Sequence, residues 1–194
     1  MKQTKTELIF ILDRSGSMSG LEEDTIGGYN NFLKKYREYD DISVTTILFD
    51  NQYEMLFDRV NVKDAFITTN EYFVRGSTAL LDAIGKTVSF VKNRITLTTQ
   101  MNKPEKVIFV ITTDGLENAS VEYDYPAIHT MISERQEIAK WDFIFMAANI
   151  DVHQEASKLG IHLENARSYK STKQGTKAMY DTVSCMVNES MKKN

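Results

Sequence analysis

Hydrophobic residues fall along this chain in blocks of two kinds. Some runs are apolar at nearly every position: Leu8–Leu12, the β-branched stretch within Ser43–Asp50, Val107–Ile111 and Phe143–Ala148. Such runs fit strands buried on both faces. They predict strands over Glu7–Asp13, Ser43–Asp50, Val107–Thr113 and Trp141–Ala148. Other segments repeat apolar residues every three or four positions, as one face of a helix does. Ile26, Tyr29, Phe32, Leu33 and Tyr36 predict a helix within Leu21–Tyr39, with Gly27 and Gly28 weakening it locally. Leu81, Ile84, Val88, Val91 and Ile95 predict a long helix over Thr78–Arg94. Pro126 suits a first helical turn, followed by Ile128, Met131, Ile132 and Ile138. Val152–Leu159, stopped by Gly160, and Gly175–Met191 complete the helices.

Shorter signals fill the gaps. Asp50-Asn51 marks a turn, after which Tyr53–Phe57 returns as an antiparallel edge strand. Residues 58 to 77 read as loop, with a helical turn near Lys63–Phe66, and Ala166–Tyr169 reads as a short last strand. Strands separated by helices predict one α/β domain over residues 1–194, a three-layer Rossmann-like fold with a mostly parallel sheet covered on both faces.

Composition narrows the function classes. A chain of 194 residues with 42% hydrophobic and 26% charged residues suffices for a single well-packed core. A net charge of −4 disfavours nucleic acid as a partner, because binding it requires neutralising phosphates. Lys34, Lys35 and Arg37 read as a solvated helix face. The opening Met1–Thr6 is polar and the next apolar run is too short for an export signal or a membrane span, so a cytoplasmic location is expected. Cys185 is the only cysteine, which rules out an intrachain disulfide; its helical pattern predicts a small buried side chain.

In open α/β sheets, ligands bind beyond the carboxyl ends of the strands. Three polar clusters fall there: Asp13, Ser15 and Ser17 after the first strand; Gly76-Ser77-Thr78 before the long helix; and Asp114-Gly115 after Val107–Thr113. Each alone could be a helix cap or a turn. With Thr78 taken from the second cluster, they gather two carboxylates and three hydroxyls, the hard oxygen donors that suit a small divalent cation.

The D-x-S-x-S loop, the G-S-T before a helix and the I-T-T-D-G after a strand resemble the von Willebrand factor type A domain and its metal-ion-dependent adhesion site. The order of strands and helices fits along nearly the whole chain. The resemblance implies Ser15, Ser17 and Thr78 as hydroxyl ligands, and Asp13 and Asp114 as carboxylates acting directly or through water. It implies Mg²⁺ or Mn²⁺, with one coordination position left for an Asp or Glu of a protein partner. It also implies a stand-alone bacterial or phage type, and a last helix, Gly175–Met191, that moves with affinity. Arg14, Glu117 and Asn118 are expected to contact the partner; the alternative for Arg14 is a solvated side chain. Asp82 reads as an exposed helix carboxylate, or as an acceptor behind the metal ligands.

Enzyme signatures are weak. His129, His153 and His162 are scattered, no Walker A loop occurs, and Gly16-Ser17-Met18-Ser19-Gly20 has methionine where a nucleophile elbow has serine. Phosphatases that use an aspartate nucleophile want a second carboxylate two residues on, and here that residue is Ser15. The reading is therefore a metal-dependent protein-binding module. The alternatives are a metal-independent scaffold and, further off, a metal-dependent hydrolase using Asp13.

Overall fold

The computed structural model describes residues 4–193; Met1–Gln3, part of the polar opening segment, and Asn194 lie outside them. Six strands form one sheet: β1 (Thr6–Asp13), β2 (Ile42–Phe49), β3 (Tyr53–Asn61), β4 (Lys106–Thr113), β5 (Asp142–Ala147) and β6 (Ala166–Ser168). Five α-helices accompany them among the described residues: α1 (Glu22–Lys34), α2 (Leu80–Leu97), α3 (Tyr125–Ile138), α4 (Val152–Leu159) and α5 (Lys173–Lys192). The strand order is β3-β2-β1-β4-β5-β6, all parallel except β3.

Alternate residues of the central strands feed two cores. Ile9, Ile11, Phe109 and Phe145 pack under α2, α3 and α4; Leu8, Phe10, Val110 and Ile144 pack under α1 and α5. The expected three-layer α/β architecture with an antiparallel edge strand is thus present. The chain leaves β1 toward one face and β4 toward the other, so the gap between these two strands is the switch point where such sheets hold ligands.

Several boundaries differ from expectation. β3 runs to Asn61, past a register shift opposite Val44 and Thr46, with Arg59 at φ 52°; the bulge disguises the alternation of a strand. The segment after it has no helix near Lys63–Phe66, yet Val62, Ala65, Ile67 and Tyr72 are buried and extend the α1/α5 core. α1 ends at Lys34, and Tyr36 packs into that core from the turns that follow. α2 starts at Leu80, leaving Thr78 in the preceding loop. Cys185 is exposed on α5, contrary to expectation, because α5 turns Val183 and Val187 inward and Cys185 lies off that stripe.

Candidate metal centre

Parallel pairing places the candidate carboxylates side by side. Leu12 of β1 lies opposite Thr112 of β4, so Asp13 and Thr113 are neighbours at the strand ends and Asp114 follows directly. Asp13 Oδ1 accepts the Ser15 backbone N–H at 2.7 Å, and Oδ2 accepts the Thr113 hydroxyl at 2.6 Å. Ser15 Oγ and Ser17 Oγ are 3.1 Å apart, and Ser17 Oγ donates to Asp114 Oδ1. A Cβ on Gly115 would sit 3.5 Å from Ser17 Oγ and 3.9 Å from Thr78 Oγ1, so both hydroxyls converge on the backbone just after Asp114.

All five candidate ligands therefore gather at one point. Asp13, Ser15, Thr78 and Asp114 are buried, at 1%, 1%, 3% and 2% exposure, and Ser17 is exposed at the rim. Burial is the main cause that pushes the Asp13 carboxyl up to about 6; its hydrogen bonds from Thr113 and Ser15 oppose this, and the Asp114 charge adds to it. Among the described residues no cationic side chain pairs with Asp13 or Asp114. Two buried carboxylates of like charge, ringed by hydroxyls, make a donor set that fits Mg²⁺ or Mn²⁺. No group of three or more His, Cys, Asp or Glu among the described residues could hold a metal, so the hydroxyls have to supply the remaining protein donors.

The three proposed contact residues have different surroundings. Arg14 is fully buried: its Nε lies 2.9 Å from Asp50 Oδ2 and its Nη1 2.8 Å from Glu54. It is neither solvated nor turned outward, since Asp50 at the end of β2 draws it into the loop packing. Glu117 is half-buried and accepts from the backbone of Leu81, Ala119 and Ser120 and from the Ser120 hydroxyl. Asn118 is exposed; its Oδ1 accepts from the Thr78 N–H, and its own N–H donates to the Thr78 carbonyl. That reciprocal pair fixes the backbone of Thr78 against the loop following Asp114.

Asp82 is buried, not exposed. Its carboxylate accepts the backbone N–H groups of Val121, Glu122 and Tyr123 at 2.9–3.0 Å, tying the β4–α3 loop to the first turn of α2. Its partners are loop amides, not metal ligands. Sequence reasoning missed Thr113, which buttresses Asp13, and Ser171, whose hydroxyl lies 3.3 Å from Asp114 Oδ2. The doubled threonine before Asp114 was the available signal for Thr113; nothing in the sequence marks Ser171.

No protein-family model matches the sequence, and no curated protein matches it either. Solved structures do match. The vWF domain of the type V pilus tip protein Mfa5 from Porphyromonas gingivalis superposes with a TM-score of 0.68 at 10% identity, over 100% of this chain and 98% of that one. The manganese-loaded TRAP protein of Plasmodium vivax gives 0.62 at 13% identity, over 91% and 72%. The PilB minor pilin of Streptococcus sanguinis gives 0.69 at 10% identity, over 98% of this chain and 63% of the pilin, which is therefore the longer protein. The chain has the von Willebrand factor type A fold. No helix among the described residues is long and apolar enough to cross a membrane.

Proposed function

We propose that this chain is a protein-interaction domain that holds Mg²⁺ or Mn²⁺ through Asp13, Ser15, Ser17, Thr78 and Asp114, and binds an Asp or Glu side chain of a partner. One observation carries the reading: Asp13 and Asp114 are buried together, without a cationic side chain among the described residues, beneath three convergent hydroxyls. Burying unpaired charge is costly unless a counter-charge is supplied. When bound, the ion supplies that counter-charge and a Lewis-acid site for an incoming carboxylate. The protein's own residues do the rest. Thr113 and the Ser15 N–H orient Asp13, Ser17 and Ser171 orient Asp114, and Asn118 holds Thr78 in place. Two of the three hydroxyl donors belong to buried residues, and Ser17 opens the site to solvent. The manganese of the TRAP structure and the pilus setting of Mfa5 and PilB are features of those proteins, and they agree with this reading. No catalytic step is proposed.

The test has two parts. Thermal unfolding in EDTA, then with Mg²⁺ or Mn²⁺ restored, should show a metal-dependent rise in midpoint that Asp114→Ala abolishes. Peptides bearing Asp or Glu should be retained on the immobilised chain in Mg²⁺ and released by EDTA. Equal retention in both buffers would overturn the partner reading; no midpoint shift with either ion would overturn the metal reading.

A further inference from the structure

We infer that Arg14, Asp50 and Arg75 form a charge clamp whose task is to place Thr78 in the metal centre; the inference rests on the metal reading above. The candidate ligands come from three loops. Two of these are joined by hydrogen bonds between the site's own side chains, Thr113 to Asp13 and Ser17 to Asp114. The loop carrying Thr78 is held on one side by its hydrogen bonds with Asn118 and on the other by contacts to the Asp13–Gly16 backbone and to the segment that follows β2. Arg75 N–H donates to the Arg14 carbonyl at 2.9 Å, and Gly16 N–H donates to the Gly76 carbonyl at 3.1 Å. Ala79 N–H donates to the Asp50 carbonyl at 2.9 Å, and Tyr72 Oη donates to the Asp13 carbonyl at 2.6 Å. Thr78 thus lies between two residues, Gly76 and Ala79, tied to different strand ends.

The side chains of this lattice meet at one atom. Asp50 Oδ2 accepts Arg14 Nε at 2.9 Å and Arg75 Nε at 2.8 Å. Arg14 belongs to the loop of Asp13, Ser15 and Ser17, Arg75 belongs to the loop of Thr78, and Asp50 directly follows β2, the strand beside β1. The Phe73 ring packs against both guanidinium groups, 5.4 Å from each. Asp50 Oδ1 is taken by the Gln52 N–H, and Gln52 Oε1 accepts from Arg75 Nη2, which closes the network. Asp50 and Arg14 are fully buried, so their charges meet in a site of low polarity where a pair couples strongly and an unpaired member is costly. The clamp therefore sets the distance between Thr78 and the serine loop without any of its three residues ligating the ion. Residues that hold metal ligands in place from behind govern affinity by one to two orders of magnitude.

Arg75 is the member to test, because it is partly exposed and its removal leaves the buried Arg14–Asp50 pair intact. Mn²⁺ binding to the full chain would be measured by titration calorimetry for the parent, Arg75→Gln, Arg75→Lys, Thr78→Ala and the Arg75→Gln/Thr78→Ala pair, with folding checked by circular dichroism. R75Q should weaken Mn²⁺ roughly tenfold or more, and R75K should recover part of the loss. The pair should bind no more weakly than T78A alone, because Arg75 acts through Thr78. Amide exchange at Gly16 and Ala79 should quicken in metal-free R75Q. R75Q that binds Mn²⁺ like the parent, or a full tenfold loss on the T78A background, would overturn the clamp while leaving the metal reading intact. A parent that binds no Mn²⁺ would overturn both.

Discussion

Replacing Asp13 with asparagine should raise the stability of the metal-free protein while removing its response to metal. Asp13 is 1% exposed and shares the site with Asp114, and its carboxyl is raised from 3.8 to about 6, chiefly by burial. That rise corresponds to about 3 kcal/mol borne by the folded state at neutral pH, where the group is ionised. The sign follows from linkage. A carboxyl raised on folding favours the folded state at low pH, and that benefit is lost as pH climbs from about 4 through about 6. The substituted amide can still accept the Ser15 N–H through its oxygen and can donate to Thr113 Oγ1 through its nitrogen, so the local hydrogen bonds survive in altered form. Allowing for weaker, uncharged hydrogen bonds leaves a gain of about 1–2 kcal/mol, which for a domain of this size is about 3–6 °C. The assay is thermal unfolding in EDTA at pH 7.5 and pH 4 for both proteins, repeated with Mn²⁺. Asp13→Asn should unfold at higher temperature at pH 7.5, lose its advantage near pH 4, and gain nothing from Mn²⁺ while the parent does. A lower midpoint for Asp13→Asn in EDTA at pH 7.5 would refute the argument that the paired carboxylates burden the empty fold.

Other perturbations probe the loops around the site. Asp82→Ala strips the acceptor from three loop amides and should cost about 2–3 kcal/mol, with hydrogen exchange quickening at Val121, Glu122 and Tyr123 before the rest of the chain. Gly76→Ala forces a side chain onto a residue at φ 66° and against Asn51 Oδ1, so it should destabilise by about 1–2 kcal/mol and weaken Mn²⁺ binding in a calorimetric titration. Cys185 should react fully with a chromogenic disulfide reagent in the native protein within minutes, at one thiol per chain; protection until unfolding would contradict its exposure on α5.

The architecture was legible where burial is symmetrical. β1, β2, β4 and β5 are apolar at successive positions because helices cover both faces, and they stand within a residue or two of expectation. β3 was only half legible, because the bulge at Arg59 breaks its alternation. At the site, the three motifs were readable since each is local: a loop, a glycine turn and a strand end. Arg14, Asp50 and Asp82 were not, because their environments are made by residues 25 to 41 positions away. A lone charged residue in sequence looks solvated, and only the fold brings Asp50 to Arg14 or the 121–123 amides to Asp82.

Gly28 in the middle of α1 reads in sequence as a weak point in a helix, yet the Tyr180 ring of α5 lies where a Cβ would be, 2.2 Å from its nearest ring atom. The glycine is a notch, and the ring is a key seated in it. Shifting α5 by one helical turn, about 5.4 Å, would move that ring from Gly28 to the residues one turn away along α1, Asp24 and Thr25 on one side and Asn31 and Phe32 on the other, all of which carry side chains. Position along the α1–α5 seam is therefore quantised. The glycine and the ring together fix the register in which α5 docks on α1, so this seam has one seating rather than a continuum of slid positions.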